Sequence, residues 1–145
     1  MKNIKILVMG LPGSGKTTLS KKLVELIDAE WINADVVRRE ANDWDFSLEG
    51  RIRQALRIKK ISDNVIKKGK HCVTDFICPT KKTREQFKAD YIIWMNTISE
   101  GRFEDTNKMF ENPSKEEVNF IVTEKNADKY KSQIIKRIDE YLLKI

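Results

Sequence analysis

Nine residues, Gly10 to Thr18 (GLPGSGKTT), carry the spacing most directly tied to chemistry in this chain. Gly10, Gly15, Lys16 and Thr17 fill the fixed positions of G-x-x-x-x-G-K-S/T, with Leu11, Pro12, Gly13 and Ser14 between them. Glycines at such spacing let backbone N–H groups turn inward around phosphate oxygens, at an approach a Cβ would obstruct. Lys16 is placed to neutralise β- and γ-phosphates, the Thr17 hydroxyl to hold Mg²⁺, and Thr18 to continue into a helix whose positive end faces the anion. The bland alternative is a glycine turn joining a strand to a helix without a ligand. The apolar run Ile4–Met9 before the loop and a helical pattern after it supply the context the motif requires, and the expected ligand is a nucleoside triphosphate, ATP.

Transfer of a phosphoryl group also needs a metal-side carboxylate, a base for the accepting hydroxyl, and a cover against water. Asp35 falls just past the short apolar run Trp31–Ala34, at the strand end where open parallel sheets bind ligands. It is read as the base, with a helix N-cap as the structural alternative. Asp75 follows Cys72-Val73-Thr74, and a carboxylate inside a buried strand is costly unless paired or metal-bound. Arg38, Arg39, Arg51, Arg53 and Arg57 form a basic set suited to bidentate capture of phosphate or sulfate, and two of them are expected to touch an anionic substrate. Trp44 and Phe46 between them are either core aromatics or a stacking surface for a purine. Cys78 and His71 are assigned to packing.

The elements that must position these groups alternate strand and helix, which implies a three-layer α/β fold: a parallel five-stranded sheet with helices on both faces. Strands are expected at 3–9, 31–34, 71–77, 90–96 and 118–122. Helices are expected at 16–28, from near Val36, and at 47–68, 81–88 and 128–143. Leu19, Leu23, Leu26 and Ile27 give the first helix an inner face; Ile52, Leu56, Ile58, Ile61, Val65 and Ile66 do so for the long one, which Gly69 closes. The least regular stretch, about 99–113, is expected to form a lid.

A chain of 145 residues, 40% hydrophobic and 34% charged, fits one domain spanning 1–145 with a real core. No apolar run approaches the roughly 20 residues of a membrane helix, and the first strand begins too early for a leader peptide. Two cysteines without C-x-x-C spacing and a single histidine speak against a zinc site or disulfide scaffold, so the chain reads as cytoplasmic and reduced. A net charge of +6 allows a nucleic-acid partner without favouring one, because the lysines are scattered; a polyanionic small molecule explains it equally.

Taken together, these residues resemble the adenylylsulfate kinase family of P-loop kinases over about residues 4–80. Gly10–Thr18 is similar to that family's GLSGAGKTT, and Asn33-Ala34-Asp35-Val36-Val37-Arg38 to its D-G-D-N-x-R. Asp45-Phe46-Ser47 with Arg51 and Arg57 is similar to its G-F-S-x-x-D-R-x-x-N-I-R-R, and Phe76-Ile77-Cys78-Pro79 to its F-I-S-P. The resemblance implies ATP-dependent phosphorylation of the 3′-hydroxyl of adenosine 5′-phosphosulfate, as in sulfate assimilation. It makes Asp35 the acid/base, gives Arg38, Phe46, Arg51 and the main chain around Ile77 to the sulfonucleotide, and places Gln54 where the family has a substrate-side asparagine. This chain departs in Cys78 for serine, in Asp75 where serine is common, and in lacking a counterpart of the lysine-rich lid after Asn96. A nucleoside, modified base or polynucleotide 5′-hydroxyl as acceptor, or a binding module without transfer chemistry, remain the alternatives.

Overall fold

The computed structural model describes residues 2–145. Five strands, β1 (Lys5–Met9), β2 (Ala29–Asn33), β3 (His71–Asp75), β4 (Tyr91–Met95) and β5 (Phe120–Val122), alternate with six helices. The helices are α1 (Lys16–Ile27), α2 (Ala34–Ala41), α3 (Leu48–Lys67), α4 (Lys81–Phe87), α5 (Glu104–Met109) and α6 (Ala127–Lys144). The strands form one parallel sheet in the order β2-β3-β1-β4-β5. With β1 at the centre between β3 and β4, the carboxyl ends of β1, β3 and β4 open a crevice of the kind that binds ligands in such sheets.

Both faces of β1 are buried, as a central parallel strand requires. Ile6 and Val8 pack with Leu19 and Leu23 of α1 and with Tyr130, Ile134 and Ile138 of α6. Leu7 and Met9 face the other way, toward Val37 of α2, Ile58 of α3 and Phe87 of α4. Lys5 is buried in the same strand, its ammonium bonded to Asp63 at 2.7 Å and to the Phe87 carbonyl. On α3 the inner face also carries Ser62, which shares a 2.8 Å hydrogen bond with Thr74 of β3.

Two helix patterns correct the sequence reading. Leu26 of α1 is 53% exposed, and Ile52 and Leu56 of α3 are 52% and 54% exposed; the buried positions of α3 are Gly50, Gln54, Ile58, Ser62 and Val65. Apolar residues outnumber the positions that the inner face can hold, and small or polar residues win where α3 runs closest to its neighbours. The long helix does close as expected. Gly69 at φ 84° and the bonds Gly69 N–H to Ile66 and Lys70 N–H to Val65 carbonyls form a Schellman cap. Among the described residues no helix is long and apolar enough to cross a membrane.

Candidate functional site

The loop leaving β1 turns so tightly that a Cβ on Gly10 would lie 2.8 Å from the Met95 carbonyl oxygen and 2.8 Å from Ser14 Oγ. Gly15 caps α1 in the left-handed region at φ 99°, a conformation side chains resist. Lys16 folds back on the loop and donates to the Leu11 carbonyl at 3.0 Å. Burial pushes its amine down to about 8, against the upward pull of Asp75 and then Asp35, with Arg102 adding to the fall. Ser14 Oγ is buried and, among the described residues, has no hydrogen-bond partner. Thr17 and Thr18 are exposed at the mouth of the cradle.

Asp75 ends β3 and is 2% exposed. Its carboxylate accepts from the Trp31 indole N–H at 2.5 Å and from the Asn33 amide at 3.0 Å. Burial raises its pKa from the ordinary carboxylate value, while the two donors and Lys16 oppose the rise. Asp35 stands in the first turn of α2, exposed to solvent. The helix N-cap is Asn33, whose side chain accepts from the Val36 N–H at 3.1 Å, so the capping role weighed for Asp35 belongs two residues earlier. Among the described residues Asp35 makes no side-chain hydrogen bond or ion pair, and its charge acts on Lys16, Asp75 and Arg38.

Four of the five arginines take distinct roles, and Arg39 is exposed on α2. Arg53 binds Asp43 at 2.7 Å and Asp45 at 3.2 Å, and Arg57 binds Asp43 at 2.8 Å. Asp43 is consequently held well below the usual carboxylate range, first by Arg53 and then by Arg57. Arg38 is buried and donates to the Asp43 and Asp45 carbonyls at 2.9 and 3.2 Å. Its guanidinium lies 4.3 Å from the Phe46 ring centre, while Arg51 approaches the same ring at 6.0 Å and donates to the Phe46 carbonyl at 2.9 Å. Phe46 and Trp44 are 56% and 51% exposed, which removes the core-aromatic alternative for both. Gln54 is a brace, unlike the substrate-facing amide expected: it donates to the Ala34 carbonyl at 3.0 Å and accepts from Arg57 at 2.6 Å.

Three features were not singled out from sequence: the seat of Gly50, the grip of Arg84 on the Cys78 carbonyl, and the helix within the stretch at 99–113. Gly50 lies where a Cβ would stand 2.1 Å from the Asp45 carbonyl oxygen, so the loop at 42–47 rests directly on the first turn of α3. A glycine in a helix's first turn is the signal that marked it. Cys78, buried as assigned, takes φ 46°, and Arg84 grips its carbonyl at 3.1 Å; His71 likewise packs, accepting from the Ile4 N–H at 3.1 Å. The stretch at 99–113 contains the short helix α5 and rests on the cradle. Thr97 Oγ1 donates to the Ser14 carbonyl at 2.7 Å, Gly101 packs against Pro12, and Asn107 brackets Gly101 with bonds of 2.7 and 3.1 Å.

The sequence pattern of the adenylylsulphate kinase family matches residues 2–99, and the chain belongs to that family. The probable adenylyl-sulfate kinase of Aeropyrum pernix is 30% identical over 96 residues, covering 60% of this chain and 51% of that protein. The match thus spans about half the length of this curated relative. The APS kinase of Mycobacterium tuberculosis, solved in complex with AMPPNP and APS, superposes with a TM-score of 0.76 at 15% identity, covering 95% of this chain and 98% of that one. A gluconokinase from Sinorhizobium meliloti 1021 gives 0.71 at 12% identity, covering 94% and 92%. At such identities the likeness establishes a common fold, and the acceptor has to be argued from the site.

Proposed function

We propose that the chain is an ATP-dependent kinase whose acceptor is the 3′-hydroxyl of adenosine 5′-phosphosulfate. The observation that carries this reading is the meeting of three things at one sheet edge in a member of this family: the Gly10–Thr18 cradle, a solvent-open Asp35, and the Arg38–Phe46–Arg51 cluster. The tight glycine approach at Gly10 and the unpartnered, buried Ser14 hydroxyl fit a phosphate-filled loop. Lys16 gives up the Leu11 carbonyl and pairs with the β- and γ-phosphates. Thr17 and Asp75 offer the hydroxyl and carboxylate oxygens that a hard divalent cation prefers, and Asp75 keeps lone pairs beyond those used by Trp31 and Asn33. Mg²⁺, when bound there, neutralises charge on the transferring phosphoryl group.

On the acceptor side, Arg38 and Arg51 meet the anionic groups of the sulfonucleotide, the exposed face of Phe46 stacks on its adenine, and main chain near Ile77 borders it. Asp35 accepts the 3′-hydroxyl proton as that oxygen bonds to the γ-phosphorus, and the bond to the bridging oxygen breaks to release ADP. The segment at 97–110 covers the transfer from water. The reaction yields the 3′-phosphorylated sulfonucleotide, the product of the activation arm of sulfate assimilation, in the cytoplasm.

One feature favours a second acceptor class. Gln54 is committed to Ala34 and Arg57 instead of to a ligand, which leaves room for a nucleoside or a polynucleotide 5′-hydroxyl. ADP release with Mg-ATP, measured with adenylylsulfate, a nucleoside mixture and a 5′-hydroxyl oligonucleotide, separates the two. Turnover confined to adenylylsulfate and lost in Asp35→Asn supports the first reading. Turnover with another acceptor moves Arg38 and Arg51 to that substrate; ATP binding without any turnover favours a binding module.

A further inference from the structure

We infer that Asn33 is a positioning residue that sets the metal-side carboxylate of Asp75 and the base-bearing turn of Asp35 with one side chain. This rests on the reading of Asp75 as a Mg²⁺ ligand proposed above. Asn33 and Asp75 are directly opposite in the β2–β3 register, so their side chains emerge on the same face of adjacent strands. The Asn33 amide nitrogen donates to Asp75 Oδ1 at 3.0 Å, and its amide oxygen accepts from the Val36 N–H at 3.1 Å. The orientation of the amide is thereby fixed, because a flipped group would set oxygen against carboxylate and NH₂ against N–H. From β2, two residues earlier on the same face, Trp31 supplies the second donor to Asp75 at 2.5 Å. The bracket spans both catalytic carboxylates: Val36 adjoins Asp35, and the capped turn decides where Asp35 stands.

Aspartate at position 33 would still cap α2 but could not donate, and beside Asp75 it would set two carboxylates in contact in a buried place.

The test reads binding of the nonhydrolysable analogue AMPPNP with and without Mg²⁺, so it needs no acceptor. In wild type, Mg²⁺ should tighten binding, and Asp75→Asn should remove that gain. Asn33→Asp, which exchanges the amide donor for a second carboxylate beside Asp75, should cut the gain about tenfold. Trp31→Phe keeps the ring and deletes only the indole donor; it should weaken the gain by about threefold. Thermal melts with far-UV circular dichroism identify any variant that fails to fold, and Trp31→Phe with Asn33→Ser then carries the test. A purely structural bracket would lower the melting temperature and leave the Mg²⁺ gain intact, which overturns the positioning role alone. A wild-type protein whose AMPPNP affinity ignores Mg²⁺, or an Asp75→Asn variant that retains the gain, overturns the metal reading and this inference with it.

Discussion

On the phosphate side of the cleft, position is dictated by backbone: Gly10 tolerates no Cβ against Met95, Gly15 turns α1 in, and Ser14 is pinned through its carbonyl by Thr97. On the proposed acceptor side, the loop at 42–47 is held by side-chain charge, with Asp43 gripping Arg53 and Arg57 and Arg38 reaching two of the loop's carbonyls. A backbone cradle recognises what nearly every kinase substrate shares, the triphosphate. A loop tied by ion pairs can be retuned by single substitutions, which suits the half of the site proposed to choose the acceptor. The two halves meet at Asn33, which caps the helix leading to the acceptor loop and holds the carboxylate next to the cradle.

Lys16→Met is expected to give the largest effect, a fall of about 10²–10³-fold in kcat, because in the proposed reaction its ammonium meets charge that grows in the transition state. Steady-state kinetics with ATP and the acceptor that turns over would check it. A fall of less than about tenfold would mean that backbone N–H groups alone neutralise the phosphates, sharpening the contrast between the two sides further.

A pair of glycine substitutions sets the two sides against each other. Gly10→Ala and Gly50→Ala each force a Cβ into an occupied place, at 2.8 Å from the Met95 oxygen and 2.1 Å from the Asp45 oxygen respectively. Overpacking of this kind costs about 1–3 kcal/mol. Gly10→Ala should spend that cost on ATP, raising the Kd of AMPPNP by about tenfold or more. Gly50→Ala should lift the acceptor loop off α3, raising the acceptor KM while AMPPNP binds as in wild type. If both variants lose ATP binding together, the halves are one cooperative unit and the contrast fails.

Asp43→Ala probes the ion pairs themselves. It releases Arg53 and Arg57, and with Arg57 the brace on Gln54 and Ala34. The acceptor KM should rise about tenfold, comparable to the coupling of residues in one network, with ATP affinity unchanged. Raising the salt concentration should reproduce part of this change in wild type, since Arg53 and Asp45 are exposed to screening.

The unequal legibility of the two sides follows from the same difference. Strand order and the short helix α5 aside, the strands and helices were readable from apolar spacing and from caps such as Gly69, and so was the cradle, because a backbone constraint leaves its mark as glycine. Arg38, Arg51 and Phe46 were identifiable as a group, but nothing in their spacing says that Asp43 neutralises Arg53 and Arg57 rather than Arg38. Gln54 was misjudged for that reason: an amide on the face of a helix is a ligand or a brace depending on which carbonyl lies opposite, here Ala34 from a different element. Leu26, Ile52 and Leu56 were counted as core because periodicity reports a face but not how much of it a neighbour covers.

The smallest expected effect is one of pH, and it tells the two sides apart without a substitution. The unfolded chain keeps a proton on Lys16 up to its ordinary value of 10.5, whereas burial lets the folded, unliganded protein release it from about 8. Across that window the folded state binds fewer protons, so this lysine's cost to stability, present in full below about 8, is relieved as pH rises. ATP affinity should move the opposite way. Phosphates need the ammonium, so binding above about pH 8 must take up a proton, and the Kd should climb by at most tenfold per pH unit. Calorimetric titrations of AMPPNP at pH 7 and pH 9, in buffers of different ionisation enthalpy, would register both the weakening and the proton uptake. Guanidinium groups keep their charge through this range, so acceptor binding should stay level while ATP binding weakens. Parallel weakening of both would place a titrating group on the acceptor side as well, and the division between a backbone cradle and an ion-paired loop would no longer hold.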